Sequence, residues 1–370
     1  LYHLIFIVKI KNMRVCILGA GLSSVTLAKA LVNEKIFVDL FTQKKITQVQ
    51  KSRTLGISES NVDFFNNSII DIKKILWKIK KIEVSTDNLK NENILNFQNK
   101  NNGIFSIIKN YELYDILNKN LNKNKFFKKK YYRNKLPNLE NYNLVINTDY
   151  FNPITKKFFS KLITKKYNSF AYTTLIHHEK INNNIARQIF TKRGPLAFLP
   201  VSNSLTSVVY SLHNKLNEDS ESIKNLINKY NFNYNLTKIE KIDSFELNSL
   251  NLRSYYHHNI LAFGDLLHRI HPLAGQGFNM TIRDIKIFMD IIRSRIKLGL
   301  QLDSSISIEF QNTLRHKNFI FSNGIDFIHE FFNLERKTDN KFLSKSVQLL
   351  GKNPVINRIF MNVADKGLVF

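Results

Sequence analysis

One cysteine, Cys16, stands in a chain of 370 residues, so no disulfide can close within it and cysteine-ligated zinc or iron–sulfur sites are excluded as well. Proline is scarce at 6 and glycine at 12, which rules out collagen-like and Gly/Pro-rich low-complexity chains and makes any local cluster of glycines informative. Acidic residues are few: 29 Asp and Glu face 55 Lys and Arg, a formal charge of +26. Long apolar runs are absent too. The longest near the start, Leu4–Val8, is far short of the ~20 residues a bilayer requires, and no transmembrane helix is expected. Histidines and carboxylates never fall at metal-ligand spacing, and no Ser-His-Asp set is recognisable.

What is present is ordinary globular material, 43% hydrophobic and 23% charged, long enough for two to three domains at roughly 150 residues each. A basic chain suits nucleic acid or an anionic membrane. Here the lysines are spread along an Ile-rich sequence of the kind AT-biased coding produces, and no nucleic-acid motif accompanies them. The one dense run, Lys123–Arg133 (KNKFFKKKYYR), reads first as a solvated edge or loop and second as membrane-surface contact. Residues 1–12 lack a signal-peptide cleavage site and read as an upstream extension, with the fold starting at Met13. A cytoplasmic protein is expected, with no nucleic-acid partner.

The first chemistry-bearing segment follows at once. Arg14–Leu18 is a short apolar run suited to a buried parallel strand, Gly19-Ala20-Gly21-Leu22-Ser23-Ser24 a glycine turn, Val25–Val32 a helix and Phe37–Phe41 a second strand. In that order a G-x-G-x-x-G pattern is meaningful: Gly19 permits the tight turn, Gly21 lets the backbone approach a pyrophosphate, and the helix N-terminus offers unpaired N–H groups. Ser24 replaces the third glycine. The acidic residue expected about 20 residues on to bind a ribose hydroxyl is missing, leaving Thr42 or Gln43 as neutral partners. A glycine turn in an unrelated α/β unit is the competing reading.

A second segment lies far along the chain. Ile260–Phe263 reads as a short buried strand, and Gly264-Asp265 and the loop to Met280 follow it. Apolar residues then recur at helical spacing to about Leu298. Pro272 stiffens the loop, while Gly275 and Gly277 free backbone N–H groups to face a ligand. His271 and Arg269 sit in the same loop as catalytic candidates, with a packing role as the alternative for His271.

GDLLHRIHPLAGQGFNMTIRD, beginning at Gly264, resembles the second FAD-binding motif of aromatic-ring flavoprotein hydroxylases. The HPLAGQG-x-N-x-x-x-RD form is similar to the ubiquinone-biosynthesis hydroxylase family. GAGLSS resembles that family's first FAD motif, and Phe190–Pro200 (FTKRGPLAFLP) a strand–turn segment of it. Arg53 matches the position of an arginine near the flavin.

The resemblance implies a Rossmann-like FAD-binding domain of glutathione-reductase-like topology with an inserted β-sheet substrate domain and a C-terminal helical segment. The expected division is 13–75, 100–155 and 255–300 for the FAD domain, 76–99 and 156–254 for the substrate side, and 301–370 for the helices. It also implies roles: Gly19, Gly21 and Ser24 at the diphosphate, Gly264 and Asp265 at the ribityl or diphosphate region, and Pro272, Gly275, Gln276, Gly277 and Asn279 along the isoalloxazine. Where relatives carry Gly-Ala-Asp-Gly, this chain has Asn147-Thr148-Asp149-Tyr150.

The implied activity is hydroxylation of the aromatic ring of a polyprenylated ubiquinone precursor through a flavin C4a-hydroperoxide, with NAD(P)H as transient reductant and O2 as oxidant. Peripheral contact with the inner face of the membrane or a biosynthetic complex is implied by so insoluble a substrate. An FAD-dependent prenyl-lipid reductase and a non-catalytic flavin-fold scaffold are the alternatives. His177, His178, His257 and His258 read as surface or packing residues. The aromatic-rich tail reads as a helical cap, its rings core or a surface for lipid or a partner subunit.

Overall fold

The computed structural model describes residues 13–43, 51–90, 92–98, 103–133, 136–213, 218–272, 275–338 and 341–367. The expected upstream extension, 1–12, lies outside them. Strand β1 (Arg14–Leu18) is apolar and buried past its first residue, helix α1 (Leu22–Asn33) is buried from Ser24 to Val32, and β2 (Phe37–Thr42) lies parallel to β1. These form the middle of a six-stranded sheet. Its order is β16 (Tyr256–His257), β17 (Ile260–Ala262), β9 (Leu144–Asn147), β1, β2 and β8 (Phe127–Tyr131), parallel but for β16. Continuous apolar runs such as LVIN and ILA are what strands covered on both faces require. The basic run falls largely on β8, the edge of this sheet. Its Lys130 reaches the buried carboxylate of Asp39 at 2.8 Å, and the Tyr142 hydroxyl donates to the same oxygen at 2.7 Å.

A nine-stranded sheet runs β18 (His268–Arg269), β15 (Asp243–Leu252), β10 (Leu162–His178), β13 (Leu205–His213), β12 (Gly194–Ser202), β11 (Ile185–Thr191), β5 (Lys81–Thr86) and β6 (Asn93–Gln98), with β14 (Leu236–Ile239) paired onto β10. A small third sheet joins β3 (Thr54–Ser58), β7 (Phe105–Lys109) and β4 (Trp77–Ile79). The main core fills the faces of the parallel sheet, where α1 packs with α3 (Asn110–Asn122) and α6 (Gln276–Leu298). A second core lies between the nine-stranded sheet and α5 (Ser220–Tyr230). Two short helices, α2 (Glu59–Phe64) and α4 (Pro153–Phe158), follow β3 and β9.

The C-terminal part is helical: α7 (Ser305–Thr338), α8 (Phe342–Gly351) and α9 (Pro354–Lys366). Its aromatics divide. Phe321 is buried with Ile270 and Met280, and Phe332 stacks on Phe190 at 3.6 Å, whereas Phe319 and Phe327 face outward. Of the four histidines read as surface or packing groups, His178 is buried against Thr206, His177 pairs with Glu240, and His257 stacks on Phe158.

Candidate functional site

Four loops meet at the carboxyl ends of the parallel strands, and backbone hydrogen bonds place them side by side. Gly19 N–H donates to Phe41 O (2.9 Å), Thr148 N–H to Leu18 O (2.9 Å) and Phe263 N–H to Asn147 O (2.9 Å). The glycine turn, the Thr42–Gln43 end of β2, the Thr148–Tyr150 segment and the Gly264 turn therefore line one edge, the region where open α/β sheets bind ligands.

Gly19 has φ 111° and no room for a side chain: a Cβ there would stand 2.4 Å from Thr148 Oγ1. Gly21, in contrast, is the exposed N-cap of α1, with nothing within 4 Å of where its Cβ would be and no side chain capping the helix. The first-turn N–H groups thus lack a side-chain acceptor, an arrangement suited to phosphate oxygens. Ser24 is fully buried, its Oγ 2.7 Å from Thr148 Oγ1, whose hydroxyl donates to Leu18 O at 2.9 Å. The residue in the third-glycine position thus clasps α1 to the loop after β9. At the end of β2, Thr42 is buried and Gln43 exposed, with no acid beside them.

The second motif touches the first at its opening residue, since a Cβ on Gly264 would fall 2.8 Å from that of Ser23. Asp265 is exposed in the turn that follows. Arg269, on β18, holds its guanidinium 5.5 Å from the centre of the Tyr150 ring, so Tyr150 is met by a cation next to the second motif.

His271 is 1% exposed, and neither ring nitrogen has a partner among the described residues. The edge of Tyr167 lies against it at 5.1 Å and the His329 ring at 4.3 Å. Burial, then the nearby His329, holds its imidazole well below the usual histidine range, so it is neutral near pH 7. Pro272 is half-buried, and the next two residues lie outside the described ones.

Gly275, left-handed at φ 63°, caps α6 without any side-chain acceptor. Its Cβ position is 3.5 Å from Gly56 N, so this helix start abuts β3. Gln276 is buried with no partner for Oε1 among the described residues, and the Cβ position of Gly277 is open. These orphaned polar atoms and unfilled glycine positions fit a bound dinucleotide better than a sealed core.

Two of the expected cofactor residues have protein neighbours of their own. Asn279, assigned to the isoalloxazine, is 0% exposed and spends its amide on protein: Nδ2 donates to Gly56 O (2.9 Å) and Oδ1 accepts from Ser58 N–H (3.0 Å) and Asn61 Nδ2 (2.8 Å). It is the bolt between α6 and β3. Arg53 is exposed, 5.8 Å over the ring of Phe245 on β15, and so lies beside the nine-stranded sheet.

Thr148, Gly56 and Asn61 were not among the expected site residues. Thr148 lies in the Asn147–Tyr150 segment already singled out, and Gly56 follows Arg53 by three residues; the reason for Gly56 is steric, since a Cβ would overlap the Phe105 ring at 1.7 Å. Behind the site His268 Nε2 meets Asp284 Oδ2 at 2.5 Å, and Asn318 donates to the other oxygen at 3.1 Å. Among the described residues no group of side chains could hold a metal ion, and no helix is long and apolar enough to cross a membrane.

Residues 177–294 match the FAD binding domain family. The chain is similar to the ubiquinone biosynthesis monooxygenase COQ6 of Xenopus tropicalis, 24% identical over 46% of this chain and 46% of that protein. It is also similar to the 3-demethoxyubiquinol 3-hydroxylase of Escherichia coli, 28% identical over 39% of each. The chain spans less than half the length of these curated relatives. The solved structure of HpxO from Klebsiella pneumoniae, complexed with FAD and uric acid, superposes with a TM-score of 0.76 over 97% of this chain and 99% of that one, at 11% identity.

Proposed function

From a relative of the ubiquinone-biosynthesis hydroxylases that has the fold of FAD-dependent monooxygenases, we propose an FAD-dependent enzyme that hydroxylates the aromatic ring of a polyprenylated ubiquinone precursor. The observation that carries this reading is the meeting of the two motifs, Gly264 against Ser23, with α6 opening against β3. FAD would lie with its diphosphate at Gly19, Gly21 and the first turn of α1, its ribose near Thr42 and Gln43, Asp265 at the ribityl or diphosphate region, and its ring system along Pro272–Gly277. Bound there, it supplies two-electron chemistry with O2 after reduction by NAD(P)H. One oxygen atom of O2 converts a ring C–H to C–OH; the other leaves as water with two electrons from NAD(P)H.

The chain's own part is binding, orientation and electrostatics. The N-terminus of α6 favours negative charge on the reduced ring system. Tyr167 and His329 pack against His271, whose buried imidazole stays neutral and serves as a hydrogen-bonding group, not as a carrier of charge. Arg269 over Tyr150 fixes the approach from the β9 side. The substrate's insolubility calls for peripheral contact with the inner face of the membrane or with a biosynthetic complex.

Purification with added FAD tests the first step: a yellow protein is expected, and a colourless one that takes up none would favour the non-catalytic scaffold. Complementation of ubiquinone-deficient cells, with mass spectrometry of the accumulated intermediate, tests the reaction. NAD(P)H-driven reduction of a prenyl chain without O2 uptake would replace hydroxylase by reductase.

A further inference from the structure

Of the 20 large apolar side chains exposed among the described residues, 11 lie between positions 319 and 360, a clustering the rest of the surface does not share. Helices α8 and α9 carry six of these 11. Phe342 and Leu349 are each 69% exposed, Val355 66% and Ile359 54%, and no residue of α9 is buried. Isolated exposed leucines need no explanation, but neighbouring ones on consecutive helices form a surface that covers something.

The charges around them indicate what. Segment 341–366 carries Lys341, Lys345, Lys352, Arg358 and Lys366, all exposed, against a single acid, Asp365. That acid is occupied, its Oδ1 accepting from Ser60 N–H at 2.9 Å. Two copies of such a face would repel each other, whereas an anionic lipid surface complements it. We propose that α8 and α9 dock this protein on an anionic bilayer. Val355, Ile359 and Phe360 enter the headgroup boundary while Lys352 and Arg358 meet lipid phosphates.

The 13-residue α9 is too short to span and lies in the interface. Its end is fastened to the candidate site, for Asp365 O accepts from Ser58 Oγ and Ser60 Oγ (2.9 Å each), and Ser58 N–H is held by Asn279. Docking therefore sets the β3–α6 junction beside the lipid. This deepens the functional reading, on which it rests for the origin of the substrate.

The full chain, with FAD added, is sedimented with phosphatidylcholine vesicles containing or lacking phosphatidylglycerol, and flavin absorbance is read on the same samples. Wild type is expected to bind the anionic vesicles only. Ile359→Ser with Phe360→Ser, which leaves the charge unchanged, should lower binding roughly tenfold or more while circular dichroism and flavin content stay the same. Arg358→Glu should weaken binding and Lys128→Glu, on the remote edge strand, should not. The proposal is overturned if the double serine variant binds like wild type, if Lys128→Glu acts as strongly as Arg358→Glu, or if the serine variant instead dissolves a dimer seen by size exclusion. Vesicle binding by a flavin-free wild type would count against the enzyme reading and leave the docking intact; a flavin-loaded protein that ignores vesicles would do the opposite.

Discussion

Asn279 shows how one side chain ties together the elements that frame a site. Replacing it with leucine strands the Ser58 N–H, the Gly56 carbonyl and the Asn61 amide in a dry interior, at a cost of about 2–4 kcal/mol. A lower urea midpoint and weaker FAD uptake are expected together, since the helix start at Gly275 loses its tie to β3. Gly19→Ala acts locally, forcing a Cβ into Thr148 at an unfavourable φ. A cost of about 1–3 kcal/mol and loss of the yellow colour are expected, read by melting curve and absorbance.

His271 makes a pH prediction. Burial lowers its folded value below the ordinary 6.5, so the unfolded chain binds a proton that the folded chain refuses. Its stabilising neutral state is complete above that ordinary value, and stability declines as pH falls beneath it, by up to about 1.4 kcal/mol per pH unit. Between about pH 7.5 and about pH 5.5 the melting temperature of wild type should fall relative to that of His271→Phe, which has no group to titrate there. A gap that stays constant would show that His271 titrates normally.

At the level of elements, the clasp between α1 and the β9 loop is the departure to probe. Ser24→Gly restores the glycine of the usual motif, yet it deletes the bond to Thr148 and adds backbone freedom inside a helix. A loss of about 1–2 kcal/mol is expected. FAD affinity should change less than the melting temperature, because the diphosphate would meet Gly19, Gly21 and N–H groups and not position 24.

The strand–turn–helix–strand order at the start and the strand–loop–helix near residue 260 were legible because apolar runs and paired glycines are short-range signals. Not legible was which distant residue each glycine gives way to. Thr148 for Gly19, Phe105 for Gly56 and Ser23 for Gly264 are partners supplied by tertiary contact. The same limit explains Asn279: its spacing placed it on the loop side of α6, but only the position of β3 shows that its amide is already engaged.

For the molecule as a whole, a coenzyme that binds only the folded chain should stabilise it. FAD at about 100 times its dissociation constant adds about 2.7 kcal/mol, a rise of several degrees in melting temperature that Gly19→Ala should abolish. A further consequence follows from the order of the parallel sheet. Strand β17, at positions 260–262, closes against β9, so the pocket's second wall is contributed more than two hundred residues after its first. During synthesis the nascent chain exposes the apolar flank of β9 until that late strand leaves the ribosome. Slow, chaperone-dependent maturation is therefore expected, and fragments ending before the second motif should be unable to retain any nucleotide.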